Sequence, residues 1–490
     1  MVNQLYLYLK NSSTTVKLMI SIFVSLFLLR LLSLGMYPLF DTTEARYGEI
    51  ARLMFETQNW VTPQFDYDVP FWGKPPFHTW ITAASFYLFG VSEFFARLPH
   101  LIVGMLTVVT VYRFTLKVAD VEKAILSVFV LTSTLGFIFA IGMVMTDSSL
   151  LLAYTLAMTS FWLNYKGQGS KFNGHLFFAA LALGMLVKGP VAVVIVLIAL
   201  VIWSVSQKQF INAIKSLPWK SGFALFWLLV LPWYVWAELR TPGFLEYFVV
   251  GEHIQRFLVS GWEGDLYGSA HDKPRGTIWL YWVLCAFPWS YFIIRLLAQK
   301  LIRRASLSKK FKGQFALSNS NANIQSYLLA WTFAPLVLFT FAGNILPIYV
   351  MPGFAAMAVL VALTQNISKK HVIVGSLTLM ITFCLIIFFS TGKVTPPTEK
   401  RLLEETADSI NLDKLYYWYK RPFSAQFYSN GKAKLMNSNE LLEAMLNEKT
   451  SFHLVINVKR FDSVVELLDR HCVVTKVMRN SSLYSCYIDN

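Results

Sequence analysis

The chain has 490 residues, of which 55% are apolar and 14% charged, with 40 Phe and 15 Trp. A soluble domain carries about 25% charged residues, and a soluble fold of this length cannot hide so much apolar surface, so the composition points to an integral membrane protein. The net charge of +15 would suggest nucleic acid only if the basic residues clustered, and they are scattered over short loops.

Apolar runs long enough to cross a bilayer, about 17–25 residues each, fall at 18–37, 97–116, 124–142, 148–164, 175–187, 190–206, 221–238, 276–295, 326–343, 345–364 and 372–390. They predict an α-helical polytopic domain of about eleven spans over residues 1–390. The run at 18–37 follows Lys10 and Lys17 but is long and lacks a small-residue cleavage site, so it reads as a first membrane helix. Near Thr391 the composition changes: residues 391–490 hold 14 basic and 12 acidic side chains and read as an ordinary soluble domain. Basic residues in short loops mark the cytoplasmic side. Lys117, Lys123, Lys166, Lys208 and Lys300 fall on one side, whereas the other holds only nine cations but 14 acids. This places the N-terminus inside and the tail domain outside. Arg30 lies within the first run, too deep to snorkel, and is expected to pair with an acid or an amide in the bundle.

The outer loops carry the informative charges. The first, 38–96, opens with Asp41, Thr42, Thr43, Glu44 and Arg46. Tyr47, Ile50, Ala51, Met54 and Phe55 then share one helical face, opposite Glu49, Arg52 and Glu56. That pattern predicts an interfacial helix, apolar face down and charged face in solvent. An anchoring role alone does not explain why Asp41, Glu44 and Arg46 gather at the end nearest the first span. Lys74 follows within Trp72-Gly73-Lys74-Pro75-Pro76, where prolines fix the backbone. It is suited to hold a lipid phosphate as a point charge; the plainer reading is a snorkelling lysine. Asp147 is the single acid of the second loop, either a functional group at the membrane boundary or a helix cap. Lys188 precedes Gly189-Pro190 in the third. The fourth, 239–275, contains Glu252, His253, Arg256, Asp265, His271 and Asp272, and the fifth, Phe341–Tyr349, is tight and ends at a proline-broken helix start. Brought together, such groups would serve transfer from a lipid-phosphate donor. Cations stabilise charge on the departing phosphate, and a carboxylate positions or deprotonates the attacking hydroxyl.

In the tail, Pro422–Leu435 reads as strand and turn, Asn439–Asn447 as a helix, Ser451–Val458 as an alternating strand, Asp462–Arg470 as a helix and Cys472–Ile488 as a hairpin. These predict a small α/β domain that either guides an acceptor or stabilises the membrane part. Cys472 and Cys486 flank the hairpin turn at Arg479–Ser482. An oxidising compartment permits a disulfide, although the register counted from the turn does not set them opposite each other.

Taken in order, DTTEARYGEIAR at 41–52, WGKPP at 72–76, FGVSEFFARLP at 89–99, TDSSLLL at 146–152, LVKGP at 186–190, EHIQRF at 252–257, FPWS at 287–290 and LPIYVMP at 346–352 resemble the bacterial polyprenyl-phosphate-sugar glycosyltransferases of the GT-C superfamily. That group contains the lipid A aminoarabinose transferase and the protein O-mannosyltransferases. The resemblance covers most of residues 38–355. It implies an inner-membrane, generally inverting glycosyltransferase that takes a sugar from undecaprenyl phosphate on the periplasmic side and passes it to lipid A, another envelope glycan or a protein. Carried over position by position, it matches Glu44, Arg46, Lys74, Asp147 and Arg256 to the family's motifs and implies that Arg46, Lys74 and Arg256 hold the donor phosphate, with Lys188 as a further cation of the outer loops. Asp41 or Asp147 orients or deprotonates the acceptor, and Glu44 holds the cations in place. Three positions depart from the pattern. Thr43 stands where the aminoarabinose transferases have Asp, which leaves the base open between Asp41 and Asp147. Gly73 replaces the Glu before Lys-Pro, so no metal or other cofactor is expected. Gly343 to Ile345 replace lysines before the Leu-Pro motif, which leaves the acceptor open. Two rival classes make different predictions. A transporter or flippase for such lipids would show repeated, interrupted helices at the midplane, which this chain lacks; a non-catalytic lipid-sugar binding protein would bind the donor without turning it over.

Overall fold

The computed structural model describes residues 12–170, 172–268, 271, 273–307, 319–390, 398–457, 461–478 and 481–487. Lys10, Asp272, Arg479 and the expected junction at Thr391 lie outside the described residues.

Helices stand at every predicted run. Thr14–Ser33, Glu93–Val118, Trp219–Arg240, Pro347–Thr364 and Lys369–Ser390 are each long and apolar enough to cross a bilayer. Asp147–Tyr165, Phe172–Lys188, Pro190–Ser206 and Asn319–Thr340 pack among them. Two runs are not single straight helices. The run at 124–142 is Val121–Thr132 followed by Leu135–Ala140. The run at 276–295 is Thr277–Cys285 and Ser290–Gln299, which meet at 117°; Pro288, which lacks an N–H, sits in the break. The eighth expected span is therefore bent.

The bundle interior is aromatic. Tyr154, Phe161, Trp203, Tyr327 and Trp331 are fully buried in one cluster. Buried phenols need acceptors in an apolar medium, and Tyr327 donates to the Met158 carbonyl at 2.7 Å and Tyr154 to that of Trp331 at 3.2 Å. Leu32, Leu228, Leu239 and Ile373 stand exposed on the outer surface, as lipid-facing side chains do. Arg30 turns inward as expected. It finds hydroxyls and a backbone carbonyl in place of an acid, donating to Ser33 Oγ (3.1 Å), the Tyr37 hydroxyl (2.8 Å) and Phe139 O (3.1 Å).

The first-loop helix runs Glu44–Thr57. Its charged face is mostly buried: Glu49 and Arg52 are only 0% and 3% exposed, and Glu56 alone of the three reaches solvent. Arg52 grips both Glu49 oxygens at 2.7 Å and also reaches Glu56. The cover comes from the tail. Its helix Phe423–Tyr428 lies against Glu44–Thr57, with the Phe427 ring beside Gly48. Arg421 pairs with Asp66, Lys400 with Glu93, and the Tyr428 hydroxyl accepts from Leu39 N at 2.7 Å. A local sequence pattern could not anticipate a face buried by residues so distant along the chain.

The tail is a small α/β domain around a five-stranded mixed sheet, in the order Lys434–Met436, Leu415–Trp418, Phe452–Ile456, Ser482–Cys486 and Cys472–Val477. The first two neighbouring pairs are parallel and the last two antiparallel. The helix at Asn439–Asn447 forms as read. In place of strand and turn, 422–435 holds the helix Phe423–Tyr428 and the start of a strand. The expected alternating strand is central and buried on both faces. Cys472 and Cys486 are register partners and are disulfide-bonded. A register shift between Val474 and Lys476 inserts one residue, so counting back from the turn misplaces Cys472 by one position.

Candidate active site

Three of the five outer loops deliver four cations to a single cavity of about 500 Å³, the second loop adds Asp147, and the tail domain closes one side of it. Arg46, Lys74, Lys188 and Arg256 all line it, together with Asp147, Glu252, Asp265, His271, Tyr349, Lys420 and Phe423.

Local chemistry fixes each group. Asp147 opens the helix Asp147–Tyr165 and Lys188 closes its neighbour Phe172–Lys188. Each therefore sits at the helix end whose dipole favours its charge. They meet at 2.7 Å, with both side chains nearly buried, and the Lys188 ammonium lies 4.6 Å from the centre of the Tyr349 ring. Gly189 then turns the chain at φ 76°, where a Cβ would strike Phe248 and His253. The two nitrogens of His253 face the carbonyls of Phe248 (2.7 Å) and Lys188 (3.1 Å), tying the fourth loop to the third. Burial lowers its pKa.

Lys74 projects from the proline-fixed loop, and its ammonium donates to the Gly73 carbonyl and to Glu252 at 2.9 Å. Arg256 meets Glu252 at 2.9 Å and Asp265 at 3.1 Å. Burial opposes ionisation of Glu252, yet Lys74 and then Arg256 outweigh it and hold the carboxyl at about 2. Arg46 donates to the Tyr267 carbonyl at 2.7 Å. The Tyr267 hydroxyl in turn donates to Pro70 O (2.9 Å) and accepts from Trp72 N (3.1 Å), which pins the fourth loop to the Lys74 loop. From the fifth loop, the Asn344 amide donates to the carbonyls of Arg256 (2.7 Å) and Val259 (3.0 Å). His271, beside Arg256, is held below the usual imidazole pKa, first by burial and then by that charge.

Two expected site residues are placed elsewhere. Glu44 is buried outside the cavity lining. It receives both Arg97 contacts (3.0 and 2.8 Å) and Val144 N (3.2 Å), so it anchors Arg97 and none of the four cavity cations. Asp41 turns to the tail domain, where its carboxylate accepts from the backbone N–H of Ser424 (3.1 Å) and from its hydroxyl. Burial raises the Asp41 pKa despite those bonds. Glu252, Asp265, His271 and Asn344 stand in the predicted loops without having been singled out as site residues. Lys420 gave no signal, because it is one of many charges in an ordinary soluble domain. At Gly73 a Cβ would lie 2.9 Å from the Phe71 ring, so a larger residue there requires that ring to shift. Among the described residues no group of three or more His, Cys, Asp and Glu gathers as a metal site.

The sequence of residues 12–248 matches the family model described as dolichyl-phosphate-mannose-protein mannosyltransferase. Over 353 residues the chain is 30% identical to the undecaprenyl phosphate-alpha-4-amino-4-deoxy-L-arabinose arabinosyl transferase of Erwinia tasmaniensis, covering 71% of this chain and 59% of that protein. It is also 30% identical over 339 residues to the enzyme of that name from Aeromonas hydrophila, covering 68% and 57%. The chain thus spans less than two thirds of the length of these relatives. In three dimensions it superposes on ArnT from Cupriavidus metallidurans bound to undecaprenyl phosphate with a TM-score of 0.77 and 16% identity, over 95% of this chain and 97% of that one. The chain is similar in sequence to these glycosyltransferases and shares the fold of the ArnT structure. The superposition extends over nearly the whole chain, and the cavity sits where the outer loops and the tail meet.

Proposed function

We propose that the protein is a glycosyltransferase that moves a sugar from a polyprenyl phosphate donor, undecaprenyl phosphate in a bacterium, to an acceptor on the outer face of the inner membrane. The observation that carries this is the convergence of Arg46, Lys74, Lys188 and Arg256, from three separate loops, on one cavity that also holds Asp147. The relatives' names and the undecaprenyl phosphate of the superposed structure support the donor class.

Lys74 and Arg256 grip the phosphate, and Lys188 adds charge beside it. As the bond between the anomeric carbon and the phosphate oxygen breaks, its electron pair stays on that oxygen, and these cations stabilise the growing charge. The acceptor oxygen attacks the opposite face of the anomeric carbon. Between the two candidate bases the geometry favours Asp147, which lines the cavity, over Asp41, whose oxygens are taken up by Ser424. For a hydroxyl acceptor Asp147 takes the proton; for an acceptor that is itself an ionised phosphate it only positions the attacking oxygen. Lipid A, another envelope glycan and protein all meet these requirements. The reading uses no metal or other cofactor, and it places the N-terminus in the cytoplasm and the tail domain in the periplasm.

The test is sugar transfer by the purified protein in lipid vesicles, from a panel of undecaprenyl-phosphate-linked sugars to lipid A and envelope glycans. Transfer abolished by Lys74→Ala and Asp147→Asn is expected. Lipid movement across the vesicle without transfer, or full activity of both variants, overturns the reading. Protease added outside spheroplasts should remove the tail domain and leave the cytoplasmic loops intact.

A further inference from the structure

Glu252 occupies an unusual place among the cavity carboxylates. Asp147 pairs with Lys188, and Asp265 gives Arg256 a second hold. Glu252 alone of the three pairs with two of the cavity cations: one oxygen lies 2.9 Å from Lys74 Nζ, and the other 2.9 Å from Arg256 Nη1. The Tyr247 hydroxyl adds a longer contact at 3.4 Å. A carboxylate spanning an ammonium and a guanidinium has the charge and the two-oxygen reach of a phosphate in the same place. It lies in the second half of a π-helical stretch, Glu246–Gln255, a rare backbone form that is frequent at functional sites.

The charge balance shows why such a group matters. The cavity lining holds five cations (Arg46, Lys74, Lys188, Arg256 and Lys420) against the three carboxylates of Asp147, Glu252 and Asp265. A donor phosphodiester brings one negative charge. The released polyprenyl phosphate is a monoester, which carries about 1.5 to 2 at neutral pH. The product therefore binds these cations more strongly than the donor does, and turnover needs something that competes for them.

We infer that Glu252 is an internal stand-in for the donor phosphate, bridging Lys74 and Arg256 in the empty site, yielding them to the phosphate on binding, and reclaiming them to expel the product. It acts as a positioning residue, because it works through the two cations and takes no proton from the acceptor. The inference rests on the polyprenyl phosphate reading and adds a means of product release to it.

The probe is undecaprenyl phosphate, with the full-length protein in nanodiscs. Glu252→Gln keeps the shape and removes the competing charge, so affinity should rise about tenfold, the scale of one charge-assisted hydrogen bond, mainly through slower dissociation. Undecaprenyl phosphate should also raise the melting temperature of Glu252→Gln by more than that of the native protein. Glu252→Asp, which keeps the charge but shortens its reach, should fall between the two and serves if the Glu252→Gln variant proves unstable in the membrane. A purely structural Glu252 gives the opposite sign, because its loss lets both cations splay. Native binding with unchanged or weaker binding in Glu252→Gln and Glu252→Asp overturns the inference alone. A native protein that binds no undecaprenyl phosphate removes the donor reading, and the inference with it.

Discussion

The Asp147–Lys188 pair separates structural from catalytic roles most sharply. The ions meet at 2.7 Å, with side chains only 5% and 10% exposed. At an effective dielectric constant of about 20, unit charges about 4 Å apart attract by roughly 4 kcal/mol. Burying two ions costs several kcal/mol each, so the intact pair contributes little net stability. Removing one partner is another matter, because it leaves an uncompensated buried charge, at a cost of about 3–5 kcal/mol. Lys188→Met strands Asp147 and should approach that figure. Asp147→Asn strands an ammonium that still lies over the Tyr349 ring at 4.6 Å; that contact returns about 1–2 kcal/mol, so this variant should lose only about 2 kcal/mol. The double variant should lie within about 1 kcal/mol of native, against single losses that sum to about 5–7 kcal/mol, giving a coupling energy of about 4–7 kcal/mol. Denaturant unfolding in mixed micelles measures the stabilities, and transfer from the undecaprenyl-phosphate donor measures activity. All three variants should be inactive, although the double variant is nearly as stable as native. Recovery of activity along with stability refutes the catalytic role. Additive losses, with coupling below about 0.5 kcal/mol, refute the buried pair itself.

Three further outcomes follow from other parts of the site. Lys420→Ala removes an exposed side chain that lines the cavity from the tail, so unfolding should be unchanged within about 0.5 kcal/mol while kcat/KM falls on the order of tenfold; unaltered kinetics would leave the tail a stabilising cap. Asn344→Leu frees the carbonyls of Arg256 and Val259, which should cost about 1–3 kcal/mol of stability and weaken undecaprenyl phosphate binding by loosening Arg256, as read by thermal melting and titration. Burial, reinforced by Asp41, raises the Glu399 carboxyl to about 7 against the opposing Tyr417 bond. The folded state thus holds a proton that the unfolded chain releases near 4.5, so this group's stabilisation is complete below that pH and is lost as pH rises through about 7. The amplitude is on the order of 3 kcal/mol, and tail proteolysis followed between pH 5 and 8 should lose that dependence in Glu399→Gln.

The membrane makes some of this legible from sequence and hides the rest. In an apolar bundle a charge is expensive, so each cation in an outer loop stands out, and Arg46, Lys74, Lys188 and Arg256 do line one cavity. Span positions follow from hydropathy for the same reason, but the 117° bend at Pro288 does not, because a proline marks a break without giving its angle. Acids are harder to rank, since function and anchoring draw on the same residue types. Asp41 and Glu44 sit in the right motif, yet their carboxylates are taken by Ser424 and Arg97, partners 383 and 53 residues away. No local pattern encodes those distances. The Cys472–Cys486 bridge was obscured by a single inserted residue in its hairpin.

The contacts of the tail domain change what kind of object the site is. Helix Phe423–Tyr428 covers the first-loop helix, Ser424 holds Asp41, and Lys420 and Phe423 line the cavity beside Thr42, Thr43 and Arg46. The polar contacts that fix this arrangement, Arg421 with Asp66 and Lys400 with Glu93, all join the tail to the first loop. That loop also carries Arg46 and Lys74. A tail that detaches therefore withdraws a cation and an aromatic wall from the cavity, and uncovers the Glu49–Arg52 pair that depends on burial for its strength. Docking of the tail and completion of the site are one event, because the same short helix serves both.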